Sequence, residues 1–217
     1  MTDTPASPRC TDVVFDFCGV LIDWQCAACL RGHLPDALVE RICADDDPYG
    51  FFRYEDLMDR GQDFADVLAR YRDEFGDDMA RIFDYYIRHY GDALPRLVPG
   101  MRGLLEDLHA AGTGVWGLTN WSHETFPVAY ERFPRLAELL DGVVVSGVEK
   151  MHKPNADIYE LTLRRFGLDA ARCLFFDDTA ANVEGARAIG MPASRFTDAQ
   201  SAREELVSLG ALPAHRA

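Results

Sequence analysis

Two observations predict an α/β protein. Short apolar runs each end in polar residues, and a long stretch with helical periodicity separates the first run from the rest. Val13-Val14-Phe15 runs into Asp16, Val115-Trp116-Gly117-Leu118 into Thr119-Asn120, and Leu174-Phe175-Phe176 into Asp177-Asp178, while Val143-Val144-Val145 precedes Lys153-Pro154. Short apolar runs bounded by polar turns read as buried parallel strands. Open parallel sheets bind ligands beyond the carboxyl ends of their strands. The polar residues that end the runs are therefore predicted to share one site.

Residues 11–17 read as the first strand. Residues 24–95 show helical spacing instead: Leu34, Ala37, Leu38, Ile42, then Phe64, Val67, Leu68, Tyr71, then Met79, Ile82, Phe83, Tyr86, Ile87. Asp45-Asp46-Asp47-Pro48-Tyr49-Gly50, Arg60-Gly61 and Gly76-Asp77-Asp78 interrupt it. From Pro99 onward helices and strands alternate. Helices are expected at 99–111, 123–133, 155–166, 180–189 and 199–209, with strands at 114–119, 142–147, 173–177 and near 194–197. Such alternation builds a parallel sheet with right-handed crossovers. The division is residues 1–22 and 96–217 for the core and 23–95 for an all-helical insert. The tail after Leu209 is expected to fray.

The formal charge of −14 argues against nucleic acid and anionic membranes as partners. No run approaches the ~20 apolar residues of a membrane span. The polar, proline-containing segment Met1 to Cys10 lacks the apolar region of a signal peptide, so a cytoplasmic location is expected. Six cysteines, at 10, 18, 26, 29, 43 and 173, form no disulfide framework and are expected as free thiols. Cys26-Ala-Ala-Cys29 matches CxxC, yet a zinc site needs a second ligand pair and only Cys43 lies near. Two apolar residues in a helix is the simpler reading. Gly112-Thr-Gly114-Val-Trp-Gly117 matches GxGxxG, but here a helix precedes and a strand follows, the reverse of the dinucleotide fingerprint.

The strand ends carry the chemistry. Asp16 offers a carboxylate nucleophile, and Gly19 permits a sharp turn beside a ligand. An Asp after a strand also serves as a turn cap. Asp177 and Asp178 repel each other unless a cation sits between or beside them. With Asp16 they make an all-oxygen set of the kind Mg²⁺ takes. They also suit the start of a helix near Ala180, although two carboxylates plus Asn182 exceed what a cap needs. Thr119 and Asn120 supply hydroxyl, amide and backbone donors for phosphate oxygens. Lys153 adds a point charge. Only Lys150 and Lys153 among the 22 basic residues are lysine, which hints at a need for a compact ammonium. His123 reads as a residue in the first turn of a helix.

These stretches resemble the haloacid dehalogenase superfamily. Its first motif, DxDGx, appears as Asp16-Phe-Cys-Gly-Val. The second appears as Leu118-Thr119-Asn120, the third as Lys153-Pro154, and the fourth as Phe176-Asp177-Asp178 with Asn182. The resemblance covers nearly the whole chain. Residues 118–190 look closest to the branch containing a bacterial glucose-1-phosphate phosphatase. The resemblance implies a Rossmann-like three-layer core with a helical cap. It implies Asp16, Lys153 and Thr119 as catalytic residues, and Thr119, Asn120, Lys153 and Trp24 as substrate contacts. It further implies Mg²⁺ held by Asp16, the backbone carbonyl of Cys18, Asp177 and Asp178. The reaction expected is Mg²⁺-dependent hydrolysis of a small phosphorylated metabolite, such as a sugar phosphate, through an aspartyl-phosphate.

One departure stands out. Family phosphatases usually carry a general acid/base Asp where this chain has Cys18, a role typically worth ~10²–10⁴-fold. That leaves a 2-haloacid dehalogenase and a catalytically weak or idle phospho-ligand-binding protein as alternatives. The acidic pair Asp177-Asp178 favours phosphatase over dehalogenase. Trp24, Phe51, Phe52, Arg53, Arg60 and Trp121 are the candidates for a pocket between cap and core.

Overall fold

The computed structural model describes residues 10–44 and 46–214. The first strand is β1 (Asp12–Phe15), followed by the short β2 (Ile22–Asp23). Four helices come next: α1 (Cys26–Leu30), α2 (Asp36–Ile42), α3 (Phe51–Asp59) and α4 (Phe64–Arg88). The chain returns through β3 (Arg96–Leu97), α5 (Met101–Ala110), β4 (Gly114–Thr119), α6 (Pro127–Arg132), α7 (Pro134–Leu139) and β5 (Gly142–Val145). It ends with α8 (Ser146–Glu149), α9 (Ala156–Phe166), β6 (Cys173–Asp177), α10 (Ala180–Ala188), β7 (Ala193–Arg195) and α11 (Ala199–Ser208).

The main sheet has the order β5-β4-β1-β6-β7, and every pairing in it is parallel. From β1 the chain builds β4 and β5 on one side, then crosses back to place β6 and β7 on the other. The order of building thus reverses at β1, and the carboxyl ends of β4, β1 and β6 flank that switch point, where open α/β sheets bind ligands. Alternation along the strands divides the core. Val13, Phe15, Leu174 and Phe176 face α5, α7 and α11, whereas Val14, Leu118, Val144 and Phe175 face α9 and α10. Two buried faces explain why these strands are apolar without alternation. The result is the α/β, Rossmann-like three-layer fold that the sequence predicts.

The helical insert leaves and rejoins this core through a two-stranded antiparallel ribbon. Ile22 pairs with Leu97 and Asp23 with Arg96, and an ion pair of 2.7 Å joins the latter two side chains. Its interior is aromatic: the Phe51 ring meets Phe83 edge-on at 5.1 Å and Tyr86 at 5.0 Å, and Tyr71 stacks on Phe83 at 4.8 Å. Such pairs add roughly 0.5–1.5 kcal/mol each beyond burial. The break expected at Gly76 is a kink inside α4, where this glycine takes φ 81°. No helix among the described residues is long and apolar enough to cross a membrane.

Several expectations are corrected. The helix expected at 123–133 starts only at Pro127, and a separate α7 follows from Pro134. Proline lacks an N–H and clashes with the preceding turn, so it ends one helix and suits the first position of the next. His123 accordingly lies in the turn before α6, not in a helix. The strand after residue 142 stops at Val145, because Ser146 opens α8 and its hydroxyl accepts the Trp121 N–H at 2.9 Å. The tail does not fray at Leu209: Ala211 and Leu212 are buried, and Ala211 O accepts the Thr113 hydroxyl at 2.6 Å. All six cysteines are free thiols, and Cys26 and Cys29 are buried in α1.

Candidate active site

Lys153 is the hinge of the site. It follows α8, is 1% exposed, and directs its ammonium at three oxygens. Nζ donates to Asp16 Oδ1 at 2.8 Å, Asp177 Oδ2 at 2.7 Å and the Leu118 carbonyl at 3.2 Å. An ammonium has three donors and here meets three acceptors from the ends of β1, β6 and β4. A planar guanidinium would not suit this compact socket, which accounts for a lysine in an arginine-rich chain. Asn120 holds the lysine's main chain in place. Its Nδ2 donates to Lys153 O at 3.0 Å, and its Oδ1 accepts from Lys153 N at 2.9 Å.

The two adjacent carboxylates point in different directions, as successive residues leaving a strand do. Asp177 is wholly buried. Its Oδ1 accepts from the Thr179 N–H at 2.8 Å, its Oδ2 from Lys153, and Asn182 Nδ2 lies 3.1 Å from both oxygens. Asp178 turns outward over Gly19. A Cβ on Gly19 would collide with Asp178 Oδ2 and displace that carboxylate, and Gly19 itself has φ +82°, a region side chains rarely adopt, so the position favours glycine on two counts. Asp16, Asp177 and Asp178 each offer an oxygen within 4.8 Å of the others. This all-oxygen donor set fits a hard divalent cation.

Burial sets the charges. It pushes the Asp16 carboxyl up from 3.8 to about 7; Lys153 opposes the rise and Asp177 adds to it. Asp178 is also pushed up, by burial and then by Asp177. For Lys153 burial alone would lower the pKa, but Asp16 and Asp177 outweigh it and hold the ammonium charged. The Cys18 thiol is pushed well up, first by burial and then by Asp16, Glu55 and Asp59, so it stays neutral.

A cavity of 350 Å³ opens over these groups, lined by Asp16, Cys18, Gly19, Asn120, Lys153 and Asp178 among others. Trp24 also lines it, together with a second, adjoining cavity of 610 Å³ beneath α3. Thr119 is fully buried and Asp177 stands behind the lysine; neither lines the cavities. Of the other aromatic and basic candidates, Phe52 lines the second cavity and packs edge-on against Trp24 at 5.5 Å. Phe51 and Trp121 are core residues. Arg53 and Arg60 are exposed and pair with Glu74 and Asp56.

Sequence reading missed the acids of α3. Glu55, Asp56 and Asp59 line the second cavity, and Glu55 is held by Tyr86 Oη at 3.1 Å. Burial pushes Glu55 up to about 7. The available signal was a carboxylate inside the apolar stripe Phe51, Tyr54, Met58. His152 was also missed, and nothing in its local sequence marks it.

A family model of haloacid dehalogenase-like hydrolases matches residues 13–190. The sesquiterpene phosphatase astK of Aspergillus oryzae is 34% identical over 113 residues, which are 50% of this chain and 55% of that protein. The phosphatase MT3486 of Mycobacterium tuberculosis is 34% identical over 142 residues, 63% of this chain and 61% of that one. The chain thus spans between 55% and 61% of the length of these two relatives. A HAD family enzyme of Bacteroides thetaiotaomicron, solved with magnesium and inorganic phosphate, superposes with a TM-score of 0.66 at 19% identity. That match covers 87% of this chain and 94% of that one, and it is a likeness of fold. The family match runs through all four strand-end motifs that the fold gathers at one edge of the sheet, and the chain belongs to the haloacid dehalogenase-like hydrolases.

Proposed function

We propose that the protein is a Mg²⁺-dependent phosphomonoesterase for a small phosphorylated metabolite, with Asp16 as nucleophile. The observation that carries this reading is the buried Lys153 ammonium between Asp16 and Asp177, with Asp178 beside them. A metal-type acidic pair serves phosphoryl transfer, whereas attack on a carbon–halogen bond needs no such pair. Two phosphatases among the relatives support the same side.

In the proposed reaction both donors to Asp16, the Phe17 N–H at 2.7 Å and Lys153, bind Oδ1, and Oδ2 attacks phosphorus. The phosphorus–oxygen ester bond breaks, and the leaving oxygen takes a proton from water as the alcohol departs into the cavity beneath α3. Water then cleaves the aspartyl-phosphate, returning Asp16 and releasing phosphate. Lys153 favours the ionised form of Asp16 against burial and offsets charge on the phosphoryl oxygens. Asn120 sets that lysine, and Thr119 adjoins it at the end of β4. Asp16, Asp178 and the Cys18 carbonyl would hold Mg²⁺, with Asp177 behind them. When bound, the ion supplies positive charge that lets these carboxyls ionise together and neutralises the transferred group.

The leaving group meets Trp24 and Phe52 together with the α3 acids Glu55, Asp56 and Asp59. That mixture suits an uncharged polyol such as a sugar, in keeping with the glucose-1-phosphate phosphatase-like motifs at 118–190. Phosphate release from a panel of small phosphate esters, with Mg²⁺ and with EDTA, tests the reading. Metal-dependent release that vanishes in D16N is the expected result. Halide release from 2-haloacids without metal, or ligand binding with no turnover, would replace it by the dehalogenase or the idle-protein reading that Cys18 leaves open.

A further inference from the structure

Helix α3 docks on the loop that carries Lys153, and it does so through a chain of hydrogen bonds whose polarity is fixed. Asp56 Oδ1 of α3 lies 3.0 Å from His152 Nε2. His152 Nδ1 lies 3.2 Å from Asn120 Nδ2. The orientation of the Asn120 amide follows from its neighbours: Oδ1 accepts the Lys153 N–H and Nδ2 donates to the Lys153 carbonyl. The second N–H of that amide therefore points at His152, whose Nδ1 must present a lone pair. The imidazole proton is left on Nε2, aimed at Asp56. Asp56 is itself held by Arg60 Nε at 2.7 Å. The imidazole is nearly enclosed, with 11% of its side chain exposed.

A second contact seats the same helix on the same segment. Ser146 Oγ donates to the Asp59 carbonyl at 2.6 Å, at the end of α3. Both contacts fall between β5 and α9, the stretch that delivers Lys153. Resting on the reading of Asp16 and Lys153 as the reacting pair, we infer that His152 is a positioning residue. It couples the seating of α3 over the site to the placement of Lys153, through Asp56, His152 and Asn120. When α3 lifts, Asp56 leaves, the imidazole loses the partner that sets its tautomer and ring angle, and Asn120 loses an acceptor. The clasp on the Lys153 main chain then loosens. With α3 seated, substrate is enclosed and the ammonium is set in the same movement, which is how closing elements complete a site.

Two measurements on the full chain test this. The first is amide hydrogen exchange without metal or ester in wild type, D56A, H152A and H152Q. The second is hydrolysis of p-nitrophenyl phosphate with Mg²⁺ in the same proteins and in D56A/H152A. D56A is expected to speed exchange in α3 and also around Asn120 and Lys153. D56A and H152A are each expected to lower kcat about 10-fold with little change in KM, and the double variant to fall no further, because linked residues are non-additive. H152Q keeps an N–H donor for Asp56 but has no acceptor at the place of the ring Nδ1, so α3 stays protected while kcat still falls. A structural role alone would move both together. Exchange confined to α3 in D56A, or a double variant losing about 100-fold, overturns the coupling. If wild type hydrolyses no ester while D56A still loosens Asn120 and Lys153, the coupling stands and the phosphatase reading falls.

Discussion

Replacing Lys153 with methionine keeps the aliphatic stem and removes the ammonium. Asp16 and Asp177 then face each other in the interior without a cation, and the Leu118 carbonyl loses its donor. Removing one partner of a buried ion pair costs about 3–5 kcal/mol. For a protein of this size that corresponds to a fall in Tm of about 6–20 °C near neutral pH. The penalty depends on pH with a definite sign. The Asp16 carboxyl already titrates near 7 in the presence of the lysine, above its ordinary 3.8, and losing the lysine moves it further up. A carboxyl raised in this way contributes stability that is present below 3.8 and is lost as pH rises through its folded value. The deficit of K153M should therefore be largest above about pH 7 and shrink toward about pH 5, where Asp16 is protonated in both proteins. Urea unfolding of both proteins in EDTA, followed by circular dichroism at those two pH values, measures it. A deficit below about 1 kcal/mol above pH 7, typical of an exposed pair, would refute the buried-charge argument, as would equal deficits at the two pH values.

Other substitutions probe the remaining parts of the site. C18D is expected to speed ester hydrolysis at least about 10-fold, because burial together with Asp16, Glu55 and Asp59 would keep the new carboxyl protonated, the form a general acid needs; an unchanged or slower rate assigns proton transfer elsewhere. In G19A the new Cβ would collide with Asp178 Oδ2, and the Mg²⁺ concentration for half-maximal activity should rise at least about 10-fold with the fold intact by circular dichroism. An unchanged Mg²⁺ requirement would remove Asp178 from the metal set. Because Asp16 titrates near 7, Mg²⁺ binding should release protons below that pH, and the apparent affinity should fall about 10-fold per pH unit there, read by titration calorimetry; a flat pH dependence would take Asp16 out of the metal set.

Much of this protein could be read along the chain. A strand buried on both faces must be apolar, and one that stops at a parallel sheet's edge must end in polar residues. Asp16, Thr119, Asn120 and Asp177-Asp178 therefore announce both the sheet and the site, and the two lysines narrow the ammonium to residue 150 or 153. These signals are local, because a strand's period and its ending are written in consecutive residues. Proline 134 and the closing tail show where local reading weakens: a helix restarted after its stop, and Ala211 and Leu212 packed against the core by contacts distant in sequence. The division of labour between Asp177 and Asp178 was not legible, since it depends on which carboxylate the strand turns toward Lys153 and which toward Gly19. Nor was the setting of Asn120, whose side chain clasps the Lys153 main chain. Glu55 meets Tyr86 because α3 packs on α4, and Asp56 meets His152 because α3 also sits on the segment between β5 and α9. Sequence by itself determined the element types and the chemical inventory at the strand ends, because both follow from short-range periodicity. Tertiary structure alone decided which groups face one another, because hydrogen bonds and ion pairs form between atoms a few ångströms apart in space, whatever their separation along the chain.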